Sequence, residues 1–139
     1  MASKSVCLNK MIYTDYYESP MGWMQLQCSD AGLTAVQFCN LTTVGKDTPT
    51  PHTHLAKAKE KLHDYFSGRA NTGALVFDPS IGTPFQQAVW KCVSEIPLGA
   101  IRTYGAIAIE LNKPNSARAV GAANGKNPFA ILVPCHRLV

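Results

Sequence analysis

The spacing of apolar residues changes near residue 80 of this 139-residue chain, and no purely helical or purely β architecture accommodates both patterns. Upstream, residues 11–17 and 23–28 read as strands separated by the turn sequence Ser19-Pro20-Met21-Gly22. Ser29-Asp30-Ala31-Gly32 is a second turn, and residues 33–38 alternate as a third strand. A polar loop over residues 40–53 leads to helical spacing from about 54 to 66, with Gly68 as the stop. Residues 68–82 read as a linker or an edge strand. Downstream the pattern is helical. Thr83-Pro84 pairs an N-cap with proline at the first helical position, and Phe85, Ala88, Val89, Cys92, Val93 and Ile96 form one apolar face before Pro97. A short crossing segment, 99–102, precedes a helix over 104–111 capped by Thr103, and a third helix spans 115–125. The expected fold is α+β: a small N-terminal antiparallel sheet with a helix (1–80), packed on a helical C-terminal lobe (81–139).

Charge follows the same division. Residues 1–80 hold seven Lys/Arg against seven Asp/Glu, so the net charge of +4 resides in residues 81–139. A modest basic excess is compatible with nucleic acid but does not establish it, and an ordinary basic surface is the more common cause. With 46% hydrophobic and 16% charged residues the composition is globular, and no apolar run approaches the roughly 20 residues of a membrane helix. The first residues, MASKSVCLNKM, lack a secretory apolar core, so the expectation is a cytoplasmic (nucleoid) or nuclear protein that is not secreted. Five cysteines (Cys7, Cys28, Cys39, Cys92, Cys135) without CxxC spacing argue against a disulfide framework and for a reducing compartment. His52 and His54 fall in the polar loop and His63 on a polar helix face, which gives no metal-binding spacing.

The helices 104–111 and 115–125 have the dimensions of a helix-turn-helix, a geometry that also occurs in ordinary helical cores. The second is rich in small residues (Ala117, Ala119, Gly121, Ala122, Ala123), so it could pack closely on another helix or lie in a narrow groove such as the DNA minor groove. Arg118 is its one large charged side chain, either half of a surface ion pair or a guanidinium able to stack on bases. Cys135 follows the apolar run 129–133, which favours a buried inert thiol. Its neighbours His136 and Arg137 supply a base and positive potential, the environment of a nucleophilic thiolate. Adjacent residues do not face one another automatically, so His136 needs a turn or a bridging water to take the proton. Asn127-Pro128 is a tight-turn signal, with an asparagine able to hold the loop by side-chain hydrogen bonds. The remaining cysteines fall in strand or helix patterns and are expected to be buried.

Pro134-Cys135-His136-Arg137, together with Asn127-Pro128, the run from Ser116 to Gly125, Thr103-Tyr104-Gly105 and the run from Thr83 to Trp90, resembles the O6-alkylguanine-DNA alkyltransferases in order and spacing. The likeness is nearly continuous over 83–139; residues 1–80 match only in pattern. It implies direct-reversal repair: a damaged guanine is flipped from the duplex and its O6 alkyl group, a methyl group above all, passes irreversibly to Cys135, with O4-alkylthymine as a further substrate. By motif position His136 deprotonates Cys135 through a water and Asn127 braces the turn between recognition helix and active-site strand. Tyr104 lies near the flipped nucleotide and Arg118 fills its vacated place. Ser116, Ala117, Ala119, Gly121 and Ala122 enter the minor groove, and backbone groups around Cys135 and Leu138 line the guanine pocket. The implied partner is double-stranded DNA carrying alkylated guanine, the implied state a monomer, and no cofactor or membrane is involved. Zinc occurs in the N-terminal part of some relatives, but Cys7 and Cys28 have no convincing histidine partners here, so no metal is expected.

Related chains continue past the His-Arg pair with a loop closing over guanine and a helix whose glutamate orients the histidine. The sequence stops at Val139, so on this reading the histidine-orienting acid and the lid are expected to be missing; Glu95 and Glu110 do not occupy corresponding positions. Two other readings remain at this stage: a lesion-recognition protein without transfer, and an unrelated Cys/His hydrolase on an α+β domain.

Overall fold

The computed structural model describes residues 11–40, 42, 44, 50–69, 75–97 and 99–139. Cys7, most of the polar stretch 40–49 and residues 70–74 of the expected linker lie outside them. Three strands, β1 (Tyr13–Ser19), β2 (Gly22–Ser29) and β3 (Gly32–Phe38), form an antiparallel sheet in the order β1-β2-β3. Both turns are closed by serine side chains. Ser19 Oγ accepts from Met21 N and donates to Gly22 O, while Ser29 Oγ accepts from Ala31 N and donates to Asp78. Helix α1 (Thr53–Phe66) lays Leu55, Ala58 and Leu62 on the sheet. It starts one residue earlier than expected because His52 is its N-cap, with Nδ1 accepting from His54 N at 3.2 Å. Both histidines therefore belong to the helix start rather than to a free loop, and their Nε2 atoms lie 3.2 and 3.3 Å from Asp30 Oδ1 and O.

Helix α2 (Pro84–Ser94) begins with a complete capping box: Gln86 N donates to Thr83 Oγ1 and Thr83 N to Gln86 Oε1. It ends before Ile96, because Glu95 N and Ile96 N bond the carbonyls three residues back and tighten the last turn. Helices α3 (Tyr104–Glu110) and α4 (Ala117–Gly125) pack on each other. Between them Asn112 takes the left-handed conformation (φ 61°), while Lys113 N reaches Ala108 O and Asn112 N reaches Ile109 O. These two bonds satisfy the carbonyls left over at the end of α3, and Pro114 follows where the helix cannot continue. Helix α4 starts at Ala117, two residues later than the small-residue run indicated.

Two segments reach back to the sheet. Phe77 pairs with Leu33 for a single residue, so the described part of 68–82 is neither a free linker nor a full edge strand. This approach requires Gly32, whose φ is +151° and where a Cβ would lie 2.6–2.7 Å from the backbone of residues 76–78. Phe129, after α4, pairs with Val36 of the same strand: Val36 N donates to Pro128 O and Ala130 N to Val36 O. Phe129 is fully buried, stacked on Phe77 (4.5 Å) and edge-on to Trp90 (5.7 Å). Trp90 in turn donates from Nε1 to Ala123 O at 2.8 Å. The two halves of the chain thus share one hydrophobic core.

Phe129→Ala should remove both ring contacts and leave a cavity where the halves meet. A loss of about 3–5 kcal/mol is expected, measured by urea denaturation; a loss under about 1 kcal/mol would show that Phe129 does not join them.

Candidate active site

The loop from α4 to the end of the described chain is organised by main-chain bonds and two asparagines. No strand forms at residues 129–135 beyond the Phe129 pairing; in place of the expected active-site strand the chain makes successive turns and then a 3-10 turn, Cys135–Arg137. Ile131 is held at φ +68°, an uncommon conformation for a β-branched residue, inside the bonds from Leu132 N to Ala130 O and Val133 N to Phe129 O. Asn127 closes the loop from within: its Oδ1 accepts from Phe129 N and its Nδ2 donates to Val133 O, both at 2.8 Å. From the last turn of α4, Asn124 Nδ2 donates to Cys135 O at 3.3 Å.

The result reverses the bland expectation for the cysteine. Phe129, Leu132, Val133 and Pro134 are buried, but the 3-10 turn carries Cys135 and His136 to the surface. Arg137 is anchored from Nη1 to Ile96 O at 2.8 Å. A cleft of about 540 Å³ opens beside them, lined by Gln37, Phe38, Asn124, Asn127, Cys135 and His136 among others. That volume lies within the range of small-ligand sites.

The other expected site residues are placed as follows. Tyr104 opens α3, above an N-cap in which Thr103 Oγ1 accepts from Ala106 N. Its ring lies over Gly121 of α4, where a Cβ would sit 3.8 Å away. Arg102 and Leu138 pair for one residue, and Tyr104 N donates to Val139 O. Leu138 is itself buried, with its N–H on Cys135 O. Tyr104 and Leu138 are thus tied to the Cys135 turn through the main chain, without lining the cleft. On α4, Arg118, Ala119 and Ala122 are exposed, Ser116, Ala117 and Gly121 are half-buried, and Val120, Ala123 and Asn124 face the core. Arg118 is in no ion pair with a described residue, in contrast to the surface-pair reading of it. From residue 111 onward the sequence contains no Asp or Glu, whereas Lys113, Arg118, Lys126 and Arg137 are all cationic. The outer face of α4 therefore carries positive charge on little side-chain bulk.

The other described cysteines are chemically different from Cys135. Burial pushes the Cys28 thiol up to about 11. Burial, then the hydrogen bond from its thiol to Glu110, pushes Cys92 up to about 12. Cys39 is raised by burial alone. Cys39 and Cys92 are only partly buried, against the expectation of core thiols, because Cys39 follows the end of β3 and Cys92 turns toward Glu110. Glu110 also receives Arg102 at 3.2 and 3.3 Å, and the hydrogen bond from Cys92, then those from Arg102, hold its carboxyl below the usual range. Among the described residues no group of three or more His, Cys, Asp or Glu is placed to hold a metal ion, and no helix is long and apolar enough to cross a membrane.

The structure brings Cys135, His136 and Asn127, all expected from the sequence, to one cleft, which Asn124, Gln37 and Phe38, not expected there, also line. Asn124 had a signal: it continues the inward-facing spacing Val120, Ala123, a polar residue at a core position. Gln37 and Phe38 had none, since they join the cleft only through the pairing of β3 with Phe129.

The family model described as "6-O-methylguanine DNA methyltransferase, DNA binding domain" matches residues 84–139, and that described as "6-O-methylguanine DNA methyltransferase, ribonuclease-like domain" matches residues 12–79. A methylated-DNA–protein-cysteine methyltransferase of Methanosarcina barkeri is 39% identical over 131 residues, covering 92% of this chain and 82% of the relative. One from Mycobacterium bovis is 39% identical over 132 residues, covering 93% and 79%. The crystal structure of the Mycobacterium tuberculosis O6-methylguanine methyltransferase superposes with a TM-score of 0.70 at 38% identity, over 93% of this chain and 79% of that one. A complex of the same organism's protein with DNA gives 0.67 over 91% and 78%.

Exposure and thiol acidity together predict selective labelling. At about pH 8 a thiol at about 11 is ionised to roughly one part in a thousand, so Cys28 and Cys92 react appreciably only as the pH climbs toward 11–12. Limited iodoacetamide treatment of the native protein near neutral pH, read by peptide mass spectrometry, should modify Cys135 before Cys28, Cys39 and Cys92. Labelling of Cys92 first would contradict this account.

Proposed function

Because this chain belongs to the 6-O-methylguanine DNA methyltransferase family, we propose that it repairs alkylated DNA by transferring the alkyl group from O6 of guanine to Cys135. The observation that carries the assignment of the acceptor is the exposed Cys135 thiol at the mouth of a cleft, on a turn whose neighbours are buried. The reaction is a displacement at the alkyl carbon. The sulfur–carbon bond forms as the carbon–O6 bond breaks, and the thiol proton ends on the released guanine. Thiolate is the strongest soft nucleophile among side chains, so the step needs neither a cofactor nor a second substrate. The product is a thioether, which water does not cleave under physiological conditions, so each molecule acts once. His136, next to Cys135 on the cleft wall, is the base that first takes the proton through a water, and the proton then passes to the departing guanine.

The substrate oxygen lies inside a base pair, so the guanine must leave the duplex, at a cost of a few kcal/mol that is lower for a damaged pair. Residues 81–139 supply the duplex-binding part. The outer face of α4, with Arg118, Ala119 and Ala122 exposed and Ser116, Ala117 and Gly121 beside them, is narrow enough for the minor groove. Arg118, free of any ion pair with a described residue, takes the place of the flipped base in the stack. Tyr104, backed by Gly121, meets the rotated nucleotide, and the main chain around Cys135 and Leu138 borders the guanine. The protein works as a monomer wherever DNA is held, and the sheet β1–β3 serves as the support on which the acceptor loop is built.

Incubation with O6-benzylguanine or with duplex DNA carrying O6-methylguanine should add one benzyl group, or one CH2 unit of mass, to Cys135, and Cys135→Ala should abolish both. Unmodified Cys135 in a protein that still binds lesion-bearing DNA would overturn transfer in favour of lesion recognition alone. Arg118→Ala should slow repair of duplex DNA by roughly tenfold, about 1.4 kcal/mol of the flipping cost, and leave the reaction with the free base unchanged. Equal loss on both substrates would remove Arg118 from the flipping step.

A further inference from the structure

The carbonyl groups on either side of Pro134 are held by two asparagines, three residues apart, at the end of α4. Asn127 Nδ2 donates to Val133 O, and Asn124 Nδ2 donates to Cys135 O. Pro134 has no N–H to donate, and Cys135 N donates to Val133 O at 2.8 Å, a bond internal to the segment. Leu138 N also reaches Cys135 O at 3.3 Å within the 3-10 turn, but that bond lies inside the segment and moves with it. The bond from Asn124 is different in kind. It ties the nucleophile's own carbonyl to the helix whose opposite face carries Arg118, Ala119 and Ala122.

Asn124 is about nine-tenths buried, and its other amide atom, Oδ1, is buried with no hydrogen-bond partner. A buried acceptor without a partner is unfavourable, and packing alone would prefer an apolar side chain between Ala123 and the Cys135 loop. The side chain's contribution therefore lies in its donor. We propose that Asn124 is a positioning residue for alkyl transfer: it couples the DNA-facing helix α4 to Cys135 and fixes the thiol's line of approach to the alkyl carbon. This rests on the transfer reaction proposed above. Attack requires the reacting atoms aligned at near-contact distance, and a displacement of about 1 Å is sufficient to cost a hundredfold.

The test uses the full chain, with free O6-benzylguanine and O6-methylguanine duplex as substrates, alongside binding of an unmodified duplex and thermal unfolding. Asn124→Leu keeps the volume and removes the donor. Its single-turnover rate at Cys135 should fall by about ten- to a hundredfold on both substrates, with unmodified-duplex Kd within about twofold and no fall in Tm. Asn124→Asp keeps the shape but presents oxygen to the Cys135 carbonyl. Expressed as a ratio to wild type, its rate should recover as the pH is lowered from about 8 to about 5, where a protonated carboxyl donates as the amide does. A folded Asn124→Leu reacting within about twofold of wild type would overturn the proposal, as would a weakened Kd with an unchanged free-base rate, which would mark a DNA contact. A fall in Tm with proportional losses in every assay would reduce Asn124 to a structural role, and so would an Asp variant with no pH-dependent recovery. Absence of reaction in the wild-type chain would overturn the transfer reaction itself, an outcome distinct from wild-type reaction with an equally fast variant.

Discussion

The pairing of Phe129 with Val36 is the constraint on which the remainder of this structure depends. Two main-chain hydrogen bonds seat the segment after α4 against the edge of β3, and the Phe129 ring fills the space between Phe77 and Trp90. Each partner is itself held. Phe77 is docked through Leu33 across the bare surface of Gly32, and Trp90 is bonded to Ala123 of α4. One aromatic residue thereby connects the sheet, α2 and the helix pair, and it does so six residues before Cys135. Without this anchor the loop 129–135 would have no fixed origin, and the cleft bounded by Gln37 and Phe38 on one side and Cys135 on the other would not exist.

From that anchor the chain is conducted to Cys135 by bonds of short reach. Asn127 satisfies a donor and an acceptor of the loop at once, and Ile131 accepts an unfavourable φ within it. Strain of this kind persists only where the surroundings over-determine the backbone, and here they do: Phe129 is buried before the turn and Val133 and Pro134 after it. The outcome is an exposed thiol on a rigid support, which is what a displacement reaction at a bulky, flipped base requires. Chemical selectivity has a separate basis. Cys28 is withdrawn into the core, and Cys92 gives its proton to a hydrogen bond with a carboxylate already committed to Arg102. Among the described cysteines Cys135 is distinguished as much by the burial and bonding of the others as by its own exposure.

Much of this was legible in the amino-acid order. The turns at Ser19 and Ser29, the N-cap at Thr83 and the break after Leu111 all have local causes, namely a side chain bonding a main-chain group within three residues or a proline that cannot continue a helix. The small-residue composition of α4 was likewise readable, because helical period and residue size are properties of the sequence alone, whereas which face turns outward was not. Cys135, His136 and Asn127 stood out by a resemblance in spacing to one family, and the family itself is shown over both halves of the chain.

Other features had no local signature. A one-residue pairing such as Val36 with Phe129, or Arg102 with Leu138, leaves no periodicity to read, and its partners are far apart in the chain. The replacement of an expected strand by turns at 129–135 follows from the same cause: an apolar run does not reveal whether it will be buried as a strand or as a folded loop. Asn124 was readable as a polar residue on a core face, but its bond to Cys135 exists only because the loop returns beneath α4. Sequence thus determined most of the elements and their starts and marked Cys135, His136 and Asn127 as candidates, because these are read from neighbours within a few residues. The tertiary structure decided that Cys135 is exposed, that a cleft stands beside it and that α4 holds its carbonyl, because each depends on contacts the chain makes only after the two halves have joined around Phe129.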